Sequence, residues 1–170
     1  MKKLFALVLV MILALSAVSA MAAELNWSDV EEGASQIEGD FVTFDEIAVK
    51  IWMPAVFQAT ELTDEDVENG YIGYYMPADE SAAVAVQYVN TDGMTLEEYS
   101  AKLEEAGLTG IETGTVNGLP CVSYDNTEAD ASSIAFTTEA GYILEVTCAP
   151  MSDEGFAAVA MMIVASIQGE

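Results

Sequence analysis

The spacing of apolar and polar positions changes several times along the chain, and each change marks an element. Leu4 to Leu15 is an unbroken apolar run of twelve residues, preceded by Lys2 and Lys3 and followed by small residues up to Ala22. Basic, apolar and small in that order is the pattern of a secretory leader, and the run is shorter than the ~20 residues of a spanning helix. Cleavage after Ala22 is expected at the small-x-Ala site Ala20-Met21-Ala22. It would leave residues 23–170 as a single globular domain with no stable membrane insertion. Val30, Ala34 and Ile37 then recur at helical spacing behind Ser28 and Glu31, which stand three apart as a capping box requires, and Gly39 ends that segment.

Short strand patterns follow. Phe41 to Phe44 and Ile47 to Trp52 flank the polar pair Asp45-Glu46, and Pro54 closes the second. Residues 61–70 read as one acidic helical turn ending at Gly70. Tyr71 to Met76 and Ala82 to Val89 are strands around the turn Pro77 to Ser81. Thr95 and Glu98 form a second capping-box pair ahead of a helical stripe at Leu96, Tyr99, Leu103 and Ala106, with Gly107 as its stop. Asn117-Gly118 joins Ile111 to Val116 with Leu119 to Tyr124 as a two-residue hairpin. A second hairpin joins Ser133 to Thr138 with Tyr142 to Cys148 through Glu139 to Gly141. After Pro150 a helix over Gly155 to Ile167 is apolar nearly all round, as a buried helix is.

That helix and the strand Ala82 to Val89, apolar on both faces, set the fold class. An all-round apolar helix needs cover, and so does a strand with two apolar faces. A predominantly antiparallel sheet with helices on both faces, an α+β architecture of α/β/α type, satisfies both. The stretches VKIWMP (49–54), TLEEYSAKL (95–103), VNGLPCVSY (116–124) and the helix ending in ASI (165–167) resemble the PsbP-like and DcrB-like α/β/α sandwich. The resemblance spans roughly residues 41–167. It implies that fold and a small exported bacterial domain, with no shared catalytic site to carry over.

Charge narrows the partners. The chain has 29 acidic and 4 basic residues, net −25. Lys2 and Lys3 leave with the leader while every acid lies at Glu24 or later, so the mature chain stands at −27. Its field repels nucleic acid and anionic membranes, so no nucleic-acid partner is expected.

The chemistry is bounded by what is missing. With no histidine, imidazole-based triads and ordinary zinc sites are not available, and no cofactor is expected. Gly33-Ala34-Ser35 lacks the second glycine of a nucleophile elbow, and Gly107, Gly110, Gly114 and Gly118 fit no phosphate-binding spacing. A calcium loop starting at Asp64 would need glycine where Asn69 stands and glutamate where Tyr75 stands. Cys121 and Cys148 fall on strands separated by a third, roughly 9–10 Å apart, so two free thiols are expected. Aromatic residues concentrate between Trp52 and Tyr75, around the long connection Met53 to Gly70 that carries Phe57. Loops on rigid scaffolds commonly carry function, which makes Trp52, Phe57 and Tyr75 the candidate binding surface. The sequence thus describes an exported, non-catalytic binding or accessory domain, secreted or periplasmic and monomeric, for a protein or small-molecule ligand. A carboxylate-dependent hydrolase and a calcium-responsive surface protein are the alternatives. Intact-mass analysis of exported material is expected to show Ala23 as the first residue. A retained Met1 would remove the basis of the extracytoplasmic reading.

Overall fold

The structure of the protein, a computed structural model, describes residues 24–138 and 141–169. The expected leader, residues 1–22, and the turn residues Glu139 and Ala140 lie outside the described residues. The main sheet has eight strands. In spatial order they are β1 (Glu24–Leu25), β7 (Thr109–Val116), β8 (Leu119–Asn126), β9 (Ala131–Thr137), β10 (Tyr142–Ala149), β6 (Ala83–Asn90), β5 (Tyr71–Met76) and β4 (Gln58–Ala59). All pairs but one are antiparallel; β1 runs parallel to β7. A second sheet joins β2 (Gly39–Phe44), β3 (Val49–Pro54) and β11 (Gln168–Gly169).

Four helices complete the fold: α1 (Trp27–Ala34), α2 (Asp64–Glu68), α3 (Leu96–Glu105) and α4 (Glu154–Ala165). Successive strand residues point to opposite faces, and the two faces have different covers. Val122, Tyr124 and Leu103 form one small core, where α3 lies on β7, β8 and β9. Cys121, Ile134, Leu144, Val146 and Val84 point the other way into the larger core, with Phe156, Met162 and Ile163 of α4 and Ile51 and Trp52 of β3. The architecture is therefore α+β, with helices on both faces of a predominantly antiparallel sheet. α4 also packs on α1 and β3, which explains a helix without a polar face: it is sandwiched between the sheet and a second layer.

Local signals decided several elements. The capping box before α3 forms: Thr95 Oγ1 accepts from Glu98 N–H at 3.2 Å, and Glu98 accepts from Thr95 N–H at 2.9 Å. Asn117 and Gly118 both take the left-handed φ of their turn, 49° and 79°. The box expected at Ser28 and Glu31 does not form. α1 starts two residues earlier, after Asn26, which makes no side-chain cap, and the helix stops at Ser35 and not at Gly39. The first N–H of the helix, on Trp27, donates instead to Asn117 Oδ1 at 2.8 Å, 90 positions away. The strand at 47–52 begins two residues later, because Asp45–Ile47 forms a 3₁₀ turn and Ala48 takes a left-handed φ.

Asn117 holds more than Trp27. Its Nδ2 donates to the carbonyls of Ala165 and Ile167, each at 2.8 Å, and its backbone N–H donates to Leu25 O at 2.8 Å. The adjacent Ser166, 0% exposed, accepts from Trp52 N–H at 2.7 Å and donates to Ile163 O at 2.6 Å. The hairpin 116–124, the strand 49–54 and the ending 165–167 thus meet in one network.

Cys121 and Cys148 are free and buried, on β8 and β10 with β9 between them. Burial raises the Cys121 thiol to about 11 and the Cys148 thiol to about 12. Both therefore stay protonated and unreactive in the native state at neutral pH. Alkylation at pH 8 is expected to add no label to the native protein and two after denaturation without reductant. Zero labels after denaturation would mean a bridge that this strand order forbids. Replacing Asn117 by alanine leaves two carbonyls and one N–H unpaired and should cost about 2–4 kcal/mol in chemical unfolding. Asn117→Asp sets a carboxylate against those carbonyls and should regain stability as the pH is lowered toward about 4. A melting temperature within a degree of wild type for Asn117→Ala would show that the network carries no weight.

Candidate functional site

The sequence-chosen aromatics do not assemble into a surface. Trp52 is 5% and Tyr75 8% exposed, both in the main core. Trp52 lies on β3, whose last four residues are all buried beneath α4 and α1. Tyr75 packs edge-on against Phe44 at 6.3 Å. Phe57 is half-buried and stacks on Phe156 of α4 at 5.9 Å, so it is tucked under its loop. These positions are corrected to core: β3 gains cover from the C-terminal helix, a partner more than a hundred residues away that local pattern does not reveal. Among the described residues the exposed aromatic is Phe41, 40% exposed on β2, with Trp27 edge-on at 5.5 Å and Lys50 Nζ 5.3 Å above its ring.

The acidic turn became α2, and its carboxylates serve the helix itself. Asp66 accepts from Thr63 N–H at 2.8 Å and from Thr63 Oγ1 at 2.7 Å, which holds its carboxyl below the usual range. Among the described residues, no group of three or more cysteine, aspartate or glutamate side chains could together hold a metal ion.

A hydroxyl–carboxylate cluster sits under α3. Glu145 of β10 accepts from Tyr99 Oη at 2.7 Å and from Thr147 Oγ1 at 3.4 Å, and Ser133 meets Thr147 at 2.7 Å. Burial first, and then the Glu145 charge, raise the phenols of Tyr99 and Tyr124 well above their ordinary value. Phenols held protonated are poor bases. The arrangement ties α3 to the sheet.

The cavity lies on the other face. Between α4 and β7–β9 runs a groove of about 480 Å³. Its floor comes from alternate residues of neighbouring strands in register: Gly114 beside Cys121, Glu112 beside Ser123, and Ser123 in turn beside Ile134. Its wall is the face of α4 carrying Ala157, Ala160, Met161 and Val164, and Met151 lies at one end. The groove exists because small side chains oppose one another there, glycine and serine on the strands against alanine on the helix. Elsewhere Phe156, Met162 and Ile163 fill the same interval. Exposed Glu24, Glu112 and Asp125 border it, and no basic residue lines it. The volume falls within the ~300–1,000 Å³ of small-molecule sites. Sequence reasoning missed these residues because they come from six separated elements. The only local trace is the small residues at Gly114, Ser123, Ala157 and Ala160.

No described helix is long and apolar enough to cross a membrane. No protein-family model matches this chain, and no curated protein does. Among solved structures the chain is similar to that of cyanobacterial PsbP (CyanoP) from Synechocystis sp. PCC 6803. The TM-score is 0.58 at 10% identity, covering 78% of this chain and 93% of that one. At that identity the likeness concerns the fold alone, and the fold of this chain is PsbP-like.

Proposed function

We propose that this chain is an exported, non-catalytic binding domain whose ligand site is the groove between α4 and β7–β9. The supporting observation is the groove itself, a space of about 480 Å³ between α4 and β7–β9 lined largely by apolar and small side chains. Clefts of this volume with mostly apolar linings are the usual form of small-molecule sites. The catalytic alternatives gain nothing from the lining. The chain has no histidine, and the two thiols in the groove are held protonated by burial. Export follows from the leader pattern at residues 1–22. A monomeric state fits a chain with so high a like charge.

The groove can be filled without disturbing the sheet. Ala157 is half-buried on the wall, and a phenylalanine there would project into the open volume. The processed chain is expected to bind the neutral apolar dye Nile red at one site. Ala157→Phe should weaken that binding at least about tenfold with a melting temperature close to wild type. Unchanged dye binding in Ala157→Phe would reject the groove as the ligand site.

A further inference from the structure

We infer that the free edge of β2 is a second binding surface, which pairs with an extended segment of a partner protein that alternates basic and β-branched residues. It is separate from the groove and does not depend on it. β2 is the outer strand of the second sheet, in the order β11, β3, β2. The hydrogen bonds around β3 show which way each β2 residue turns. Trp52 gives its N–H to Ser166 Oγ, so it turns away from Phe41, its neighbour in register. Ala55 gives its N–H to Glu38 O, so Glu38 turns toward β3. In an antiparallel pair the two kinds of position alternate. Asp40, Val42 and Phe44 therefore bond to β3, while Gly39, Phe41 and Thr43 direct N–H and C=O outward. Among the described residues, no backbone group outside the β2–β3 ladder pairs with those three. Phe41 and Thr43 are exposed, so the edge faces solvent.

Such edges are commonly blunted by a short strand, a proline, a lysine or a bulge. β1 and β4, at the edges of the main sheet, are two residues long. β2 has six residues in unbroken register with β3, and neither proline nor lysine. Charge decides the occupant. A second copy would bring another strongly negative chain against the first, which like-charge repulsion opposes. Exposed Glu38, Asp40 and Asp45 stand along and beside the strand. Lys50, in register with Thr43, lies on the Phe41 side, its Nζ 5.3 Å above that ring. Basic side chains of an added strand therefore fit the Asp40 side. β-Branched side chains fit the Phe41 side, where an aromatic–β-branched pair is favourable. Main-chain bonds to Gly39, Phe41 and Thr43 supply affinity, and the alternation supplies selection.

The probe is a terminally blocked peptide of about eight residues alternating lysine and valine, a usual strand length. A second peptide has the same side chains but every amide N-methylated, so it keeps the charge and has no donors. Hydrogen exchange of the processed chain is followed by NMR. Without peptide, the Val42 and Phe44 amides are expected to exchange slowly and those of Phe41 and Thr43 fast. Saturating lysine–valine peptide should slow the Gly39, Phe41 and Thr43 amides at least about tenfold, and the N-methylated peptide should bind at least about tenfold more weakly. Thr43→Pro removes one outward donor and leaves the bonds to β3 in place, as edge prolines do. It should weaken the lysine–valine peptide by a similar factor. The exchange pattern of the wild type decides the matter even where Thr43→Pro fails to fold. Equal affinity of the two peptides shows attraction by charge alone and overturns the inference. So does unchanged affinity in a folded Thr43→Pro, or amides of Gly39, Phe41 and Thr43 left unprotected by millimolar peptide. Protection of these amides that rises with protein concentration in the absence of peptide assigns the edge to a second copy and likewise overturns it.

Discussion

The Asn117 side-chain amide commits its oxygen and both its hydrogens to backbone from two distant parts of the molecule. The amide oxygen takes the first N–H of α1, and the two amide hydrogens take the carbonyls of Ala165 and Ile167, within and just beyond the last turn of α4. Those groups sit at helix ends, where four donors or four acceptors have no partner inside the helix. A hairpin turn therefore serves as the cap for two helices at once. The constraint is demanding, since the turn also needs a left-handed φ at that residue. Asparagine is among the few non-glycine residues that accept this conformation, and it also carries both a donor and an acceptor.

The rest of the layering depends on that junction. With α4 fixed at its C-terminal end, Ser166 can receive the N–H of Trp52, and β3 is drawn under the helix. The second sheet and α1 then form a lid over α4, and an all-round apolar helix finds cover on every side. The far end of α4 is held differently: Asp153 caps it by accepting from Phe156 N–H at 2.9 Å. Between these two fixed ends the helix is spaced from β7–β9 by small side chains, and the groove is what that spacing leaves.

Much of this was legible in the sequence where the determining contacts are local. The pair Thr95 and Glu98 lies three residues apart and caps its helix as read. The two hairpins, the order of the strands around β9 and the free thiols follow from turns and strand spacing. What escaped was set by distant partners. Ser28 and Glu31 have the right separation, yet the helix takes its cap from a residue 90 positions on. Trp52 and Tyr75 looked available because nothing in their own segments shows that α4 and β2 will cover them. The two-residue strands β1, β4 and β11 have no pattern to read, and β1 supplies one carboxylate of the groove's rim.

The position of α4 also fixes when the domain can become compact. The helix and Ile167 contribute a large share of the main core, and the acceptors for Asn117 lie 48 and 50 positions further along the chain. The strands β6 to β10 precede α4 in the chain, and their inner face has its cover only when α4 is in place. Such late, long-range closure is slow compared with local folding. The main core is therefore closed by contacts between segments far apart in the sequence, and not by any one local unit.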